Sequence, residues 1–121
     1  MVKISYFLYL RTSFLFSRLR NPYRLEAYQL TESVVTIADD ALKIGYRIID
    51  TAKIYENELE IGKGLSNIIS DKICKKEYVF IVDKLWNTYH SDVEQGCQLS
   101  LKKLNVDYLD AFLIHCPKPQ Q

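Results

Sequence analysis

Hydrophobic and polar positions alternate in blocks that switch between a helical and a strand period. Val34, Ile37, Ala38, Ala41 and Leu42 recur at helical spacing, and Gly45 follows as a stop. Tyr46 to Ile49 is a short strand-like run ending on Asp50. Asn57 is expected to cap a second helix, with Glu58 and Glu60 in its first turn complementing the helix dipole. Ile61, Leu65, Ile68 and Ile69 predict its buried stripe. Gly62 and Gly64 weaken that helix by about 1 kcal/mol each relative to alanine, so close packing against a neighbour is the expected reason for them.

Tyr78 to Val82 is apolar enough to be buried on both faces. Ser91-Asp92-Val93-Glu94 has the form of a capping box, and Val93, Cys97, Leu101 and Leu104 line one face of the helix it starts. Ala111 to Ile114 is the last strand, before Pro117 and Pro119. From Thr31 the order is helix, strand, helix, strand, helix, strand. Such alternation implies right-handed crossovers and a parallel α/β sheet. Strands in a parallel sheet point one way, so Asp50, Lys84 and His115 at their ends should converge.

The 121 residues suffice for one modest domain, with 48% hydrophobic and 26% charged residues. The net charge of +1 is unevenly spread: residues 1–24 hold five basic residues and no acid, and the rest carries a net of −4. No basic body exists to follow a nucleic-acid backbone. Three cysteines, Cys74, Cys97 and Cys116, have neither disulfide nor zinc spacing, so no metal is expected. The N-terminal apolar run is broken by Arg11-Thr12-Ser13 and falls short of the ~20 residues that span a bilayer. Its arginines and serines without acids have the look of an organelle leader; the competing reading is an irregular leader with no targeting role, and cytoplasmic location is the default.

Taken singly, Asp50 is an ordinary turn former, Tyr55 a half-buried packing residue, Lys84 a solvated strand end and His115 a structural histidine. Their joint placement changes that. The segment ALKIGYRIIDTAKIYENELEIGKGL resembles the signature of the aldo-keto reductase family. FIVDKLWNTYH resembles that family's lysine-bearing strand, and SLKKLNVDYLDAFLIHCP the segment leading to its histidine.

The resemblance implies a (β/α)8 barrel that reduces aldehydes and ketones with NADPH. Tyr55 matches the proton donor, and Lys84 the lysine whose cation makes that tyrosine a stronger acid. Asp50 matches the carboxylate paired with the lysine, and Asp50 and Lys84 also border the cofactor. His115 matches the imidazole that orients the substrate carbonyl, and Trp86 a wall of the substrate pocket. On this reading residues 1–30 are a divergent leader and 31–121 a truncated N-terminal portion of the barrel, with about three βα units. Residues 20–28 do not match the family's glycine-rich first strand, and Cys116 stands where a tryptophan is usual. Asp83 replaces the usual serine and should be forced toward the helix layer.

Three functions follow as expectations: a reductase acting on a small carbonyl compound, a catalytically inactive truncated fragment or isoform lacking most of the cofactor site, or an interaction module. Exposed sheet edges would favour self-association.

Overall fold

The computed structural model describes residues 24–27 and 33–117. Within these, four parallel strands lie in the order β1 (Arg24–Glu26), β2 (Ile48–Asp50), β3 (Phe80–Leu85) and β4 (Ala111–Ile114). Helices α1 (Val34–Lys43), α2 (Glu58–Ser70) and α3 (Val93–Leu104) fill the three crossovers. Sequence pattern pointed to β2, β3 and β4. It did not point to β1, a three-residue strand with two charged members whose register is supplied by its neighbour: Arg24 pairs with Ile48 and Glu26 with Asp50. Of the leader read over residues 1–30, residues 1–23 and 28–30 lie outside the described residues, while Arg24–Glu26 form β1.

Among the described residues, helices cover one face of the sheet. Ile81, Asp83 and Leu85 of β3 are buried, while Phe80, Val82 and Lys84 are half-buried. The expectation of a strand buried on both faces is therefore corrected to a period of two, the signature of a one-sided cover. The strand also begins at Phe80, because Lys76–Tyr78 forms a 3-10 turn, and it runs on to Leu85. The core between sheet and helices is built from Leu42, Ile49, Ile61, Leu65, Ile81 and Leu104. Ile69, expected in the buried stripe of α2, is exposed.

Helix ends follow local chemistry with two adjustments. The third helix is capped by Asp92 rather than Ser91: its carboxylate accepts from the Gln95 amide at 2.9 Å. Asn57 stands at the N-cap of α2, but its side chain reaches away to donate to the Ala27 carbonyl at 2.8 Å, tying α2 to the end of β1. At the C-terminus of α2 the Ile73 amide donates to Ile68 and the Lys72 amide to Ile69, closing a Schellman motif. Its left-handed position is Lys72, with φ 58°, where glycine is the usual occupant.

Two glycines set how closely α2 meets its neighbours. A Cβ on Gly64 would stand 2.8 Å from the Ala38 Cβ of α1, and one on Gly62 would stand 2.6 Å from the Lys103 carbonyl oxygen of α3. The obstacle at Gly62 is backbone and cannot rotate aside. Helix propensity alone predicts that Gly62→Ala stabilises the fold by about 1 kcal/mol. The packing predicts the opposite sign, a loss of about 2 kcal/mol or more, because α2 and α3 must separate. Urea denaturation of the two proteins decides between them; a stabilised alanine variant would mean that the helices do not cross this closely.

Candidate active site

Register brings the chemistry together. Asp50 of β2 is aligned with Val82 of β3, and Val82 with Ala111 of β4. Asp50, Lys84 and the residue after Ile114 therefore project from the same uncovered face, near the exit ends of the strands. The His115 amide continues the ladder by donating to the Leu85 carbonyl at 3.1 Å, which fixes the imidazole one step beyond β4. Tyr55 closes a 3-10 turn, Lys53–Tyr55, and Glu56 at φ 55° turns the chain away into α2.

The Lys84 ammonium lies at the centre. It donates to Asp50 Oδ1, to the Thr51 carbonyl at 3.0 Å and to the Tyr55 hydroxyl at 3.3 Å. An ammonium has three protons, and these three acceptors use them all. Asp50 is only 5% exposed, so its charge requires a partner. It has two, because Arg24 on β1 binds Oδ2 while Lys84 binds Oδ1. A phenol oxygen that accepts from Lys84 can still donate its own proton.

The Tyr55 and His115 rings meet edge to face with centroids 5.7 Å apart, and His115 meets Trp86 in the same way at 5.6 Å. Burial holds the His115 imidazole below the ordinary histidine range, the Lys84 cation pushes it the same way, and Asp50 opposes them. The ring is therefore neutral at pH 7. Its Nδ1 is buried without a hydrogen-bond partner among the described residues.

The structure thus brings Asp50, Tyr55, Lys84, His115 and Trp86 to one corner. Sequence reasoning missed Arg24. Its signal was its place in β1, two residues before the partner of Asp50, and that place was invisible without the strand.

The sequence pattern of the Aldo/keto reductase family matches residues 21–121. The chain belongs to that family. It is 40% identical over 97 residues to the NADP-dependent D-sorbitol-6-phosphate dehydrogenase of Malus domestica, a match covering 80% of this chain and 30% of that protein. It is 45% identical over 80 residues to the NAD(P)H-dependent D-xylose reductase I,II of Candida tropicalis, covering 64% of this chain and 25% of that one. The aldose reductase structure from Schistosoma japonicum superposes with a TM-score of 0.76 at 40% identity, over 81% of this chain and 34% of that one. The fold is thus part of the family's (β/α)8 barrel. The chain spans about a quarter to a third of the length of these curated relatives.

Directly behind this aldo-keto reductase corner lies a second buried polar group. Asp83 faces the helix layer and is fully buried, as its position beside Lys84 in a strand requires. One oxygen accepts from the Lys84 amide at 2.7 Å, and the other has no partner among the described residues. Glu58, expected to serve the dipole of α2, is instead buried against α3. It accepts from Ser100 Oγ at 2.6 Å and from Lys103 Nζ at 3.1 Å.

Burial pushes the Asp83 carboxyl up to about 7, and the Glu58 charge adds to this. Ser100 and the Lys84 amide pull the other way and do not offset burial. The folded state therefore binds a proton that the unfolded chain releases near 3.8. Stability should fall as pH rises from about 4 to about 7, by about 4 kcal/mol in all, and level off above that. Asp83→Asn should remove this slope and stabilise the protein at alkaline pH. Urea midpoints for both proteins across this range measure the difference, and parallel pH profiles would show that Asp83 is not buried in this way.

Proposed function

We propose that this corner reduces the carbonyl of an aldehyde or ketone to an alcohol, with Tyr55 as the proton donor. The observation that carries the reading is the single hydrogen-bonded set joining Asp50, Lys84 and Tyr55, with His115 against the tyrosine ring. Carbonyl reduction places growing negative charge on oxygen, and a proton and hydrogen-bond donors must meet it there. Lys84 favours the phenolate that remains after Tyr55 gives up its proton. Asp50 holds the lysine aimed at the phenol. The neutral His115 ring offers a donor that orients the carbonyl, and Trp86 walls the pocket beside it.

The names of the Malus and Candida relatives specify NADP and NAD(P)H, which supports NADPH as the cofactor here. The residues present fit one end of it: Lys84 lies on the half-buried face of β3, and the His115 ring stands against Tyr55 at the same corner. Asp50 and Lys84 would border the bound nicotinamide. NADPH supplies the hydride when bound, and the chain's own residues supply orientation and the proton. The sugar-carbonyl chemistry in the Candida relative's name supports a small polar carbonyl substrate.

A second reading, an interaction module without turnover, is supported by exposed apolar side chains on β4. Among the described residues Leu113 and Ile114 are 39% and 67% exposed, and apolar side chains of this size at a surface favour contact with another chain.

Two measurements separate the readings. Fluorescence titration with NADPH reports whether this chain holds the cofactor, and saturable micromolar binding supports the reductase. In the protein that binds it, Tyr55→Phe should lower D-xylose reduction by about 10²- to 10⁴-fold with NADPH affinity unchanged. A phenylalanine variant that keeps its turnover would remove Tyr55 from the role of acid.

A further inference from the structure

At the entry ends of β2 and β3, opposite the catalytic corner, lies an open groove of about 680 Å³. It is bounded by the end of α2, the turn into β3 and Arg47 just before β2. Its lining has two chemistries. Ile69, Ile73 and Tyr78 are 38%, 44% and 60% exposed, an apolar cluster on a surface otherwise rich in charge. Around them stand four cations, Arg47, Lys72, Lys75 and Lys76, against one carboxylate, Glu77.

Two of the cations belong to the wall. Arg47 donates to the Leu42 and Tyr46 carbonyls, and Lys76 is held by Asp110 and lies over the Tyr108 ring. The other two stand at the rim. Lys72 and Lys75 are exposed, and among the described residues Lys75 meets the solvent-exposed Glu77 at 3.7 Å. Lys72 is also the residue in left-handed conformation at the end of α2, where glycine would be easier.

We propose that this groove docks an acidic peptide segment of a partner protein, its apolar side chain against Ile69, Ile73 and Tyr78 and its carboxylates on Lys72 and Lys75. Charge selects this occupant. The chain's own first 24 residues carry five basic groups and no acid, so they are repelled by the rim. A nucleic acid is disfavoured because the rim offers two exposed lysines beside the exposed Glu77, too few cations to follow a phosphate backbone. Apolar anchors with a polar rim are the usual anatomy of a protein–protein contact. The proposal is independent of carbonyl reduction, because the groove lies at the other end of the strands.

The test is fluorescence anisotropy of the full chain with a fluorescein-labelled peptide that alternates glutamate with leucine and phenylalanine. Saturable binding is expected, weaker at high salt. The Lys72→Glu/Lys75→Glu variant should weaken it at least about tenfold. Ile73→Ser should weaken it without changing its salt dependence. Amide spectra of both variants should remain dispersed, since all three positions are on the surface. Equal binding by the charge-reversed variant, or by the same peptide with lysine in place of glutamate, would overturn the proposal. So would sedimentation showing that this face joins two copies of the chain and that charge reversal separates them.

Discussion

An ammonium and a carboxylate removed from water are costly apart and tolerable together, and the Lys84–Asp50 pair is the place where the fold accepts that cost. The pair bridges β2 and β3, so it exists only when those strands lie parallel in this register. The third proton of Lys84 reaches Tyr55, which ties the turn after β2 to the sheet. Arg24 takes the second oxygen of Asp50 and brings in β1. One carboxylate therefore organises three strands and the turn that bears the phenol. Its loss would release the chemistry and the local packing together.

The opposite side of β3 carries the counterpart. Alternation along a strand puts Asp83 under the helices whenever Lys84 faces the corner. Asp83 is buried beside Glu58, whose own charge is met by Ser100 and Lys103 of α3. The strand thus has a fully paired charge on its functional side and a half-satisfied one behind it. That asymmetry fits a site for which geometry on one face outweighs stability on the other. It also gives the fold a pH dependence that originates behind the corner.

Much of this was legible in residue order. The helical stripes of Val34 to Leu42 and Cys97 to Leu104, the strand Ala111–Ile114, and the convergence of Asp50, Lys84 and His115 all follow from period and position. The need for close packing at Gly62 and Gly64 was visible too, though not which helix each would touch. What escaped has a common cause: it depends on partners distant in sequence. β1 is defined by its pairing with β2 rather than by any apolar pattern. Glu58 resembled a dipole-compensating surface residue until α3 brought Ser100 and Lys103 onto it. Asn57 was placed correctly at a helix start, while the direction of its side chain depended on Ala27, thirty residues earlier.

The central claim is that five side chains from three βα segments, Asp50, Tyr55, Lys84, Trp86 and His115, meet in one corner of this chain. Proton–proton Overhauser contacts in solution test it most directly. The Tyr55 ring should show cross-peaks to the His115 ring, and His115 to the Trp86 indole, as centroid separations of 5.7 and 5.6 Å require. A spectrum with the β2–β3 ladder contacts intact but with no Tyr55–His115 cross-peak would contradict the account.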